Sequence, residues 1–158
     1  MWTWRFAMAF IPKDARWYLA DVVLEHQVEG DPRNVVHVNM HLIEAASPEN
    51  AYEKVVALGR DSELVYANTS GVQVRVIFRR LRNLNVIHDE LEDGAELTYE
   101  EKVSVPEAEI ASWLCPRDKL GIFTDREFKN EVPNYMPQEV MRSLVEEGFT
   151  PSSIERET

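Results

Sequence analysis

Two apolar-rich stretches joined by a turn constrain this chain more than any other feature. WYLADVVLEHQV (17–28) and NVVHVNMHLIEA (34–45) both alternate, and the link EGDPRN is dense in turn formers. A period of two is the signature of a strand with one buried face, so the pair predicts an antiparallel hairpin. Burying the apolar set selects a register. Val22 is expected opposite Met40, Leu24 opposite Val38, and Ala20 opposite Leu42. That register sets Asp21 against His41 and Glu25 against His37 on the other face, with Asn39 between the histidines.

These five residues, Asp21, Glu25, His37, Asn39 and His41, form the candidate ligand-binding or acid–base surface. His37 and His41 stand four residues apart on a strand, about 13 Å along it, too far to share one metal ion. The simpler interpretation is a solvated face of cross-strand charge pairs, each worth under about 1 kcal/mol.

SPENAYEKVVALG (47–59) reads as a helix packed on the sheet. Ser47 is the N-cap, Pro48 suits the first helical position, and Glu49 complements the positive end of the dipole. Ala51, Tyr52, Val55, Val56 and Leu58 make its apolar stripe and Gly59 its stop, so the helix spans 47–58. A second hairpin follows, with ELVYA, the turn NTSG, and VQVRVIFRRL, in which Val72, Val74, Val76 and Phe78 share a face. AELTYEEKVSV (95–105) alternates as a further strand. So does the N-terminal WTWRFAMAF (2–10), as a sheet strand or as an arm docking on a second subunit. PEAEIASWLC (106–115) and PQEVMRSLVEEG predict short helices, the latter with Val140, Met141, Leu144 and Val145 inward, and TPSSIERET reads as a loose tail.

The expected fold is therefore α+β, a mainly antiparallel sheet of five or six strands with one principal helix on a face. Residues 1–115 form a single domain and 116–158 a C-terminal extension. A chain of 158 residues buries roughly 70% of its unfolded surface. Trp17, Leu19, Val23 and Ile77 on the second face call for cover by the C-terminal segment or a second subunit, and a homodimer is expected.

Charge narrows the function classes. The net charge of −11 disfavours nucleic acid and anionic membranes and leaves a basic protein as the natural partner. RVIFRRLR (75–82) concentrates four arginines, yet no aromatic residues interleave them on their own face for base stacking, and Glu96 and Glu100 are the expected ion-pair partners. The loop DELEDGAELTYE (89–100) places Asp89, Asp93, Gly94 and Glu100 at calcium-loop positions one, five, six and twelve, but Leu91 occupies position three, so it reads as an acidic turn. The single cysteine, Cys115, excludes an internal disulfide and a multi-thiolate metal site, suits the cytoplasm, and reads as a small buried hydrophobe. No signal peptide, 18-residue apolar span, phosphate-binding glycine loop, HExxH or GxSxG sequence is present. No cofactor or metal is expected.

WYLADVVLE (17–25), HLIEAASPENAYEKVVALG (41–59), YANTSGVQVRVIF (66–78) and LEDGAELTYE (91–100) together resemble a family of small bacterial proteins, domain of unknown function 4288, over residues 17 to 105. The motifs are the Trp-Tyr start, Leu-Ile-Glu-Ala then Ser-Pro-Glu, Tyr-x-Asn-x-x-Gly, and Asp-Gly before a strand. Val74 or Val76 stands where such domains carry a tryptophan. The resemblance implies a fold and no activity. Two function classes follow: a non-catalytic, acidic cytosolic module that binds a basic protein such as a nuclease toxin, or a small-ligand or enzymatic domain on the Asp21/Glu25/His37/His41 face.

Overall fold

A computed structural model describes residues 11–124 and 131–149. β1 (Trp17–Val28) and β2 (Asn34–Glu44) form the first hairpin, α1 (Pro48–Asp61) crosses back, and β3 (Leu64–Ala67) and β4 (Gln73–Val86) form the second. The four strands make one antiparallel sheet in the order β2-β1-β4-β3. Two short helices, α2 (Glu107–Trp113) and α3 (Gln138–Glu146), follow.

The fold class is α+β, but with four strands among the described residues instead of five or six. Residues 95–105 pair with nothing as a strand; Tyr99 and Val103 lie exposed. Alternation shows that a segment could pair and does not by itself bring it against a sheet edge, and among the described residues neither β2 nor β3 pairs with this one. The expected strand at 2–10 and the tail from 150 lie outside the described residues.

α1 follows local chemistry. The Ser47 hydroxyl accepts from the Asn50 amide at 3.1 Å, and Pro48 opens the first turn. Ala51 and Val55 are fully buried against Tyr18, Ala20, Val22, Leu24 and Ile43, with Leu58 beside them, while Tyr52, one step off this line, is half exposed. Gly59 is not the stop. The helix runs on to Asp61, and Ser62 closes it by donating from its amide and hydroxyl to the Leu58 carbonyl at 3.1 and 2.8 Å. Gly59 is instead a contact point: a Cβ there would fall 2.4 Å from the Phe78 ring, so only glycine lets the helix lie this close to β4.

The β1–β2 register differs from the expected one by a single residue. Val22 lies opposite Asn39, Ala20 opposite His41, Leu24 opposite His37, and Asp21 opposite Met40. The ends of the hairpin decide it. Gly30 takes a positive φ of 81° in the turn, and Ile43 and Ala45 are buried in the core at the far end. Turn geometry and these two anchors outweigh the burial of Val36, Met40 and Leu42, which point to the opposite face and stay exposed.

β4 carries two irregularities. Between the β1 positions Asp21 and Val22, and again between Val23 and Leu24, it contains one extra residue, first Arg82 and then Arg79. These are β-bulges, and Arg80 beside one of them has a φ of 115°. The apolar face of β4 consequently reads Val74, Val76, Phe78, Leu81, Leu84, Val86, with spacings of two, two, three, three and two.

Candidate functional site

The one-residue register change divides the five candidate residues between two faces. His37, Asn39 and His41 share the helix-covered face with Ala20, Val22 and Leu24, whereas Asp21 and Glu25 point the other way. The expected histidine–carboxylate pairs across the hairpin are not formed.

Asp21 and Glu25 find arginines instead. The Arg82 guanidinium donates through Nε and Nη2 to Asp21 Oδ2 at 3.0 and 2.8 Å. Arg79 Nη1 lies 3.2 Å from Glu25 Oε2. Glu25 also accepts from Asn34 Nδ2 at 2.9 Å and Gln27 Nε2 at 3.2 Å, and these two hydrogen bonds, more than the Arg79 charge, hold its carboxyl below the usual range. Each bulge therefore delivers the arginine that neutralises one β1 carboxylate. Arg79 and Arg82 of the arginine cluster pair with β1, not with Glu96 and Glu100 as the alternation suggested.

At the hairpin-turn end of this face a polar cleft of about 590 Å³ is bordered by Glu25, Glu29, Asp31, Arg33 and Arg75. Arg33 is already committed: it chelates Asp31 at 3.0 and 2.8 Å and donates to the Glu131 carbonyl at 2.9 Å. That pairing drives the Asp31 carboxyl down to about 2.

On the helix-covered face the imidazoles of His26 and His37 meet with ring centroids 4.4 Å apart, and the Tyr135 ring stands 5.3 Å from one and 5.2 Å from the other. His26 is 8% exposed, and its Nδ1 has no hydrogen-bond partner. Burial first, and the His37 charge second, push its pKa down, against an opposing hydrogen bond with the Val35 backbone. Tyr135 belongs to a strap, residues 131–137, tied to the β3–β4 turn. The Tyr66 hydroxyl donates to the Tyr135 carbonyl. Asn68, which is buried, donates from Nδ2 to the Asn134 carbonyl at 2.8 Å and accepts at Oδ1 from the Ser70 and Val72 amides. The Thr69 amide donates to the Met136 carbonyl at 3.0 Å, and Asn68 bridges Pro137. His26, Tyr66, Asn68 and Tyr135 were absent from the sequence-based candidates. The Tyr-x-Asn-x-x-Gly motif was the available signal, since Gly71 supplies the positive φ of the turn that Asn68 closes.

The most distinctive surface belongs to the arm, residues 88–124, which lies between the sheet and the strap in the sequence. None of residues 88–124 is buried. Val103, Leu114 and Ile122 are 81%, 72% and 85% exposed, and Trp113 and Phe123 are half exposed. Cys115 is exposed in this arm rather than buried, because it follows α2, a helix that buries nothing. The arm holds ten carboxylates against three cations, a net −7 of the chain's −11, and residues 89–101 contain seven carboxylates and no cation. Two of its cations are laid over its own aromatic rings, Lys102 Nζ 4.4 Å from the Trp113 centroid and Arg117 Cζ 4.2 Å from that of Phe123. α3 forms as expected, yet it too buries no residue, and Val140 and Val145 are half exposed.

Among the described residues no three histidine, cysteine or carboxylate side chains converge as a metal ion would require, and no helix is long and apolar enough to cross a membrane. No curated protein and no solved structure matches the chain. The family model described as Domain of unknown function (DUF4288) matches residues 17–99, a span that takes in the whole sheet, α1, both bulges and the first twelve residues of the 88–124 segment. The chain belongs to the DUF4288 family.

Proposed function

We propose that the chain is a non-catalytic, acidic protein-interaction domain that binds a basic partner protein in the cytoplasm through residues 88–124. The observation that carries this reading is the arm itself: an uncovered segment in which a run of seven carboxylates is followed by exposed Val103, Trp113, Leu114, Ile122 and Phe123. Large exposed apolar groups beside a strong single-sign charge favour a partner with an apolar patch rimmed by lysine or arginine. The carboxylates would speed encounter and select against acidic proteins, and the aromatic and aliphatic groups would supply the retained affinity.

The test is a tagged pull-down from the native host's lysate at low and high salt, read by mass spectrometry, with the wild-type chain beside a Trp113→Asp/Ile122→Asp variant. The expected result is a stoichiometric basic protein that leaves at high salt and fails to bind the variant. Retention of the same protein by the variant removes the arm from the reading. Recovery of the domain with no basic protein at either salt concentration removes the reading itself.

A further inference from the structure

The two edges of the sheet are finished differently. β3 is four residues long, and the turn that follows it is bound by the 131–137 strap through Asn68 and Thr69. β2 is eleven residues long and, among the described residues, pairs only with β1. Exposed sheet edges are normally blunted by lysine, proline or an inward charge. From Asn34 through Ile43 this one has no lysine, arginine, aspartate, glutamate or proline. Its outward-facing side chains are apolar, with Val36, Met40 and Leu42 at 50%, 63% and 48% exposure.

We propose that β2 is the docking edge for a second copy of this chain, paired antiparallel about a twofold axis through Asn39, so that two four-stranded sheets join into one of eight. This goes beyond the arm-based function and does not depend on it. Charge selects the occupant. Two molecules at −11 repel over most of their surfaces and can approach closely only along an uncharged strip. A basic partner would gain no ion pair there. Geometry sets the register. In a continuous sheet each face must meet its like, so residues directly opposite share parity, and full overlap of 34–44 puts Asn39 opposite itself. Val36 then meets Leu42, and Val38 meets Met40, on one face. The shared edge is about 36 Å long, which places the interface at the small end of stable assemblies. The dimer is accordingly concentration-dependent, and salt strengthens it by screening the repulsion between the two acidic bodies. Arm binding to a basic protein has the opposite salt dependence.

Light scattering across a concentration series in low and high salt tests the proposal, with wild type beside Val36→Lys/Leu42→Lys and Trp113→Asp/Ile122→Asp. The wild type and the arm variant should dimerise, more tightly at high salt. The β2 variant, which sets like charges opposite each other, should show at least a tenfold weaker dimer. Oxidation supplies a second readout in a Cys115→Ser background: Asn39→Cys should give a disulfide-linked dimer and Val36→Cys should not. A wild-type monomer at 200 µM chain concentration, a dimer indifferent to the two lysines, or crosslinking of Val36→Cys in preference to Asn39→Cys would each overturn it.

Discussion

One sheet face is covered twice, by two different kinds of chemistry. Over Tyr18 to Leu24 the cover is α1, and the contact is apolar: Ala51, Val55 and Leu58 against Ala20, Val22 and Ile43. Over His26 and His37 the cover is the strap, and the contact is made of hydrogen bonds to carbonyls at Asn134, Tyr135 and Met136 with a single aromatic ring inserted between. Apolar burial is non-directional and scales with area, so the helix side tolerates exchange among similar shapes. The strap side depends on a few directional bonds, each costly when one partner is lost. The first cover is part of the global fold, and the second is a candidate for local opening.

The comparison can be broken most severely from the helix side. Val55→Asp puts an unpaired carboxylate in the centre of the core, at a cost of about 3–5 kcal/mol, a large part of the roughly 5–15 kcal/mol that holds a domain folded. A large fall in the midpoint of the cooperative unfolding transition by circular dichroism is expected. Asn68→Ala should cost about 2–3 kcal/mol, since it strands the Ser70 and Val72 amides and the Asn134 carbonyl. Its signature is local: amides of 131–137 should exchange faster and a protease should cut there, while Val22 and Val55 stay protected. Equal loss of protection across the sheet would show that the two covers are one cooperative unit. Gly59→Ala is expected to cost up to about 2 kcal/mol in urea denaturation, because overpacking against Phe78 costs about 1–3 kcal/mol and helix propensity returns about 1.

The smallest effect concerns pH. His26 is pushed down by burial and by His37, so the unfolded chain takes up the proton first. Stability should be intact above the ordinary histidine value of about 6.5 and fall as pH drops through the lowered one. His26→Gln should flatten this part of the Tm–pH profile. Glu25 and Asp31, both lowered, contribute stability above their ordinary carboxylate values and lose it only in more acidic solution, so the two windows separate. A proton titration of the His26 ring by NMR at or above 6.5 would contradict the assignment.

Much of the first cover was legible in the sequence. Ser47, Pro48 and the 51/55/58 spacing give α1, and alternation gives both hairpins, because these signals are local and repetitive. The β1–β2 register was not, since even and odd residues of β2 make two comparable faces and turn geometry chose the one bearing His37, Asn39 and His41. With the register went the candidate site, which needed Asp21 and Glu25 on the histidine face. The strap was illegible for a different reason. Its bonds run from Tyr66 and Asn68 to backbone carbonyls about 66 to 69 residues away, and a backbone carbonyl has no sequence signature. The arm's alternation over 95–105 misled because pattern records that a segment could pair, not that the chain brings it to a sheet edge.

The bulges of β4 set where this strand can change length. Eleven residues of β1, Tyr18 to Val28, are matched by thirteen of β4, Val74 to Val86, and the surplus is Arg79 and Arg82. Deleting one residue at either bulge, between Phe78 and Leu81 or between Leu81 and Leu84, would leave Val74, Val76, Phe78, Leu81, Leu84 and Val86 on their present side, and loss of Arg82 would leave Asp21 without its guanidinium. Deleting a single residue elsewhere in the strand would turn part of that row toward water. In a lineage of such domains β4 could shorten at these two bulges, and a shortening that removed Arg82 would be answered by a change at Asp21 on β1.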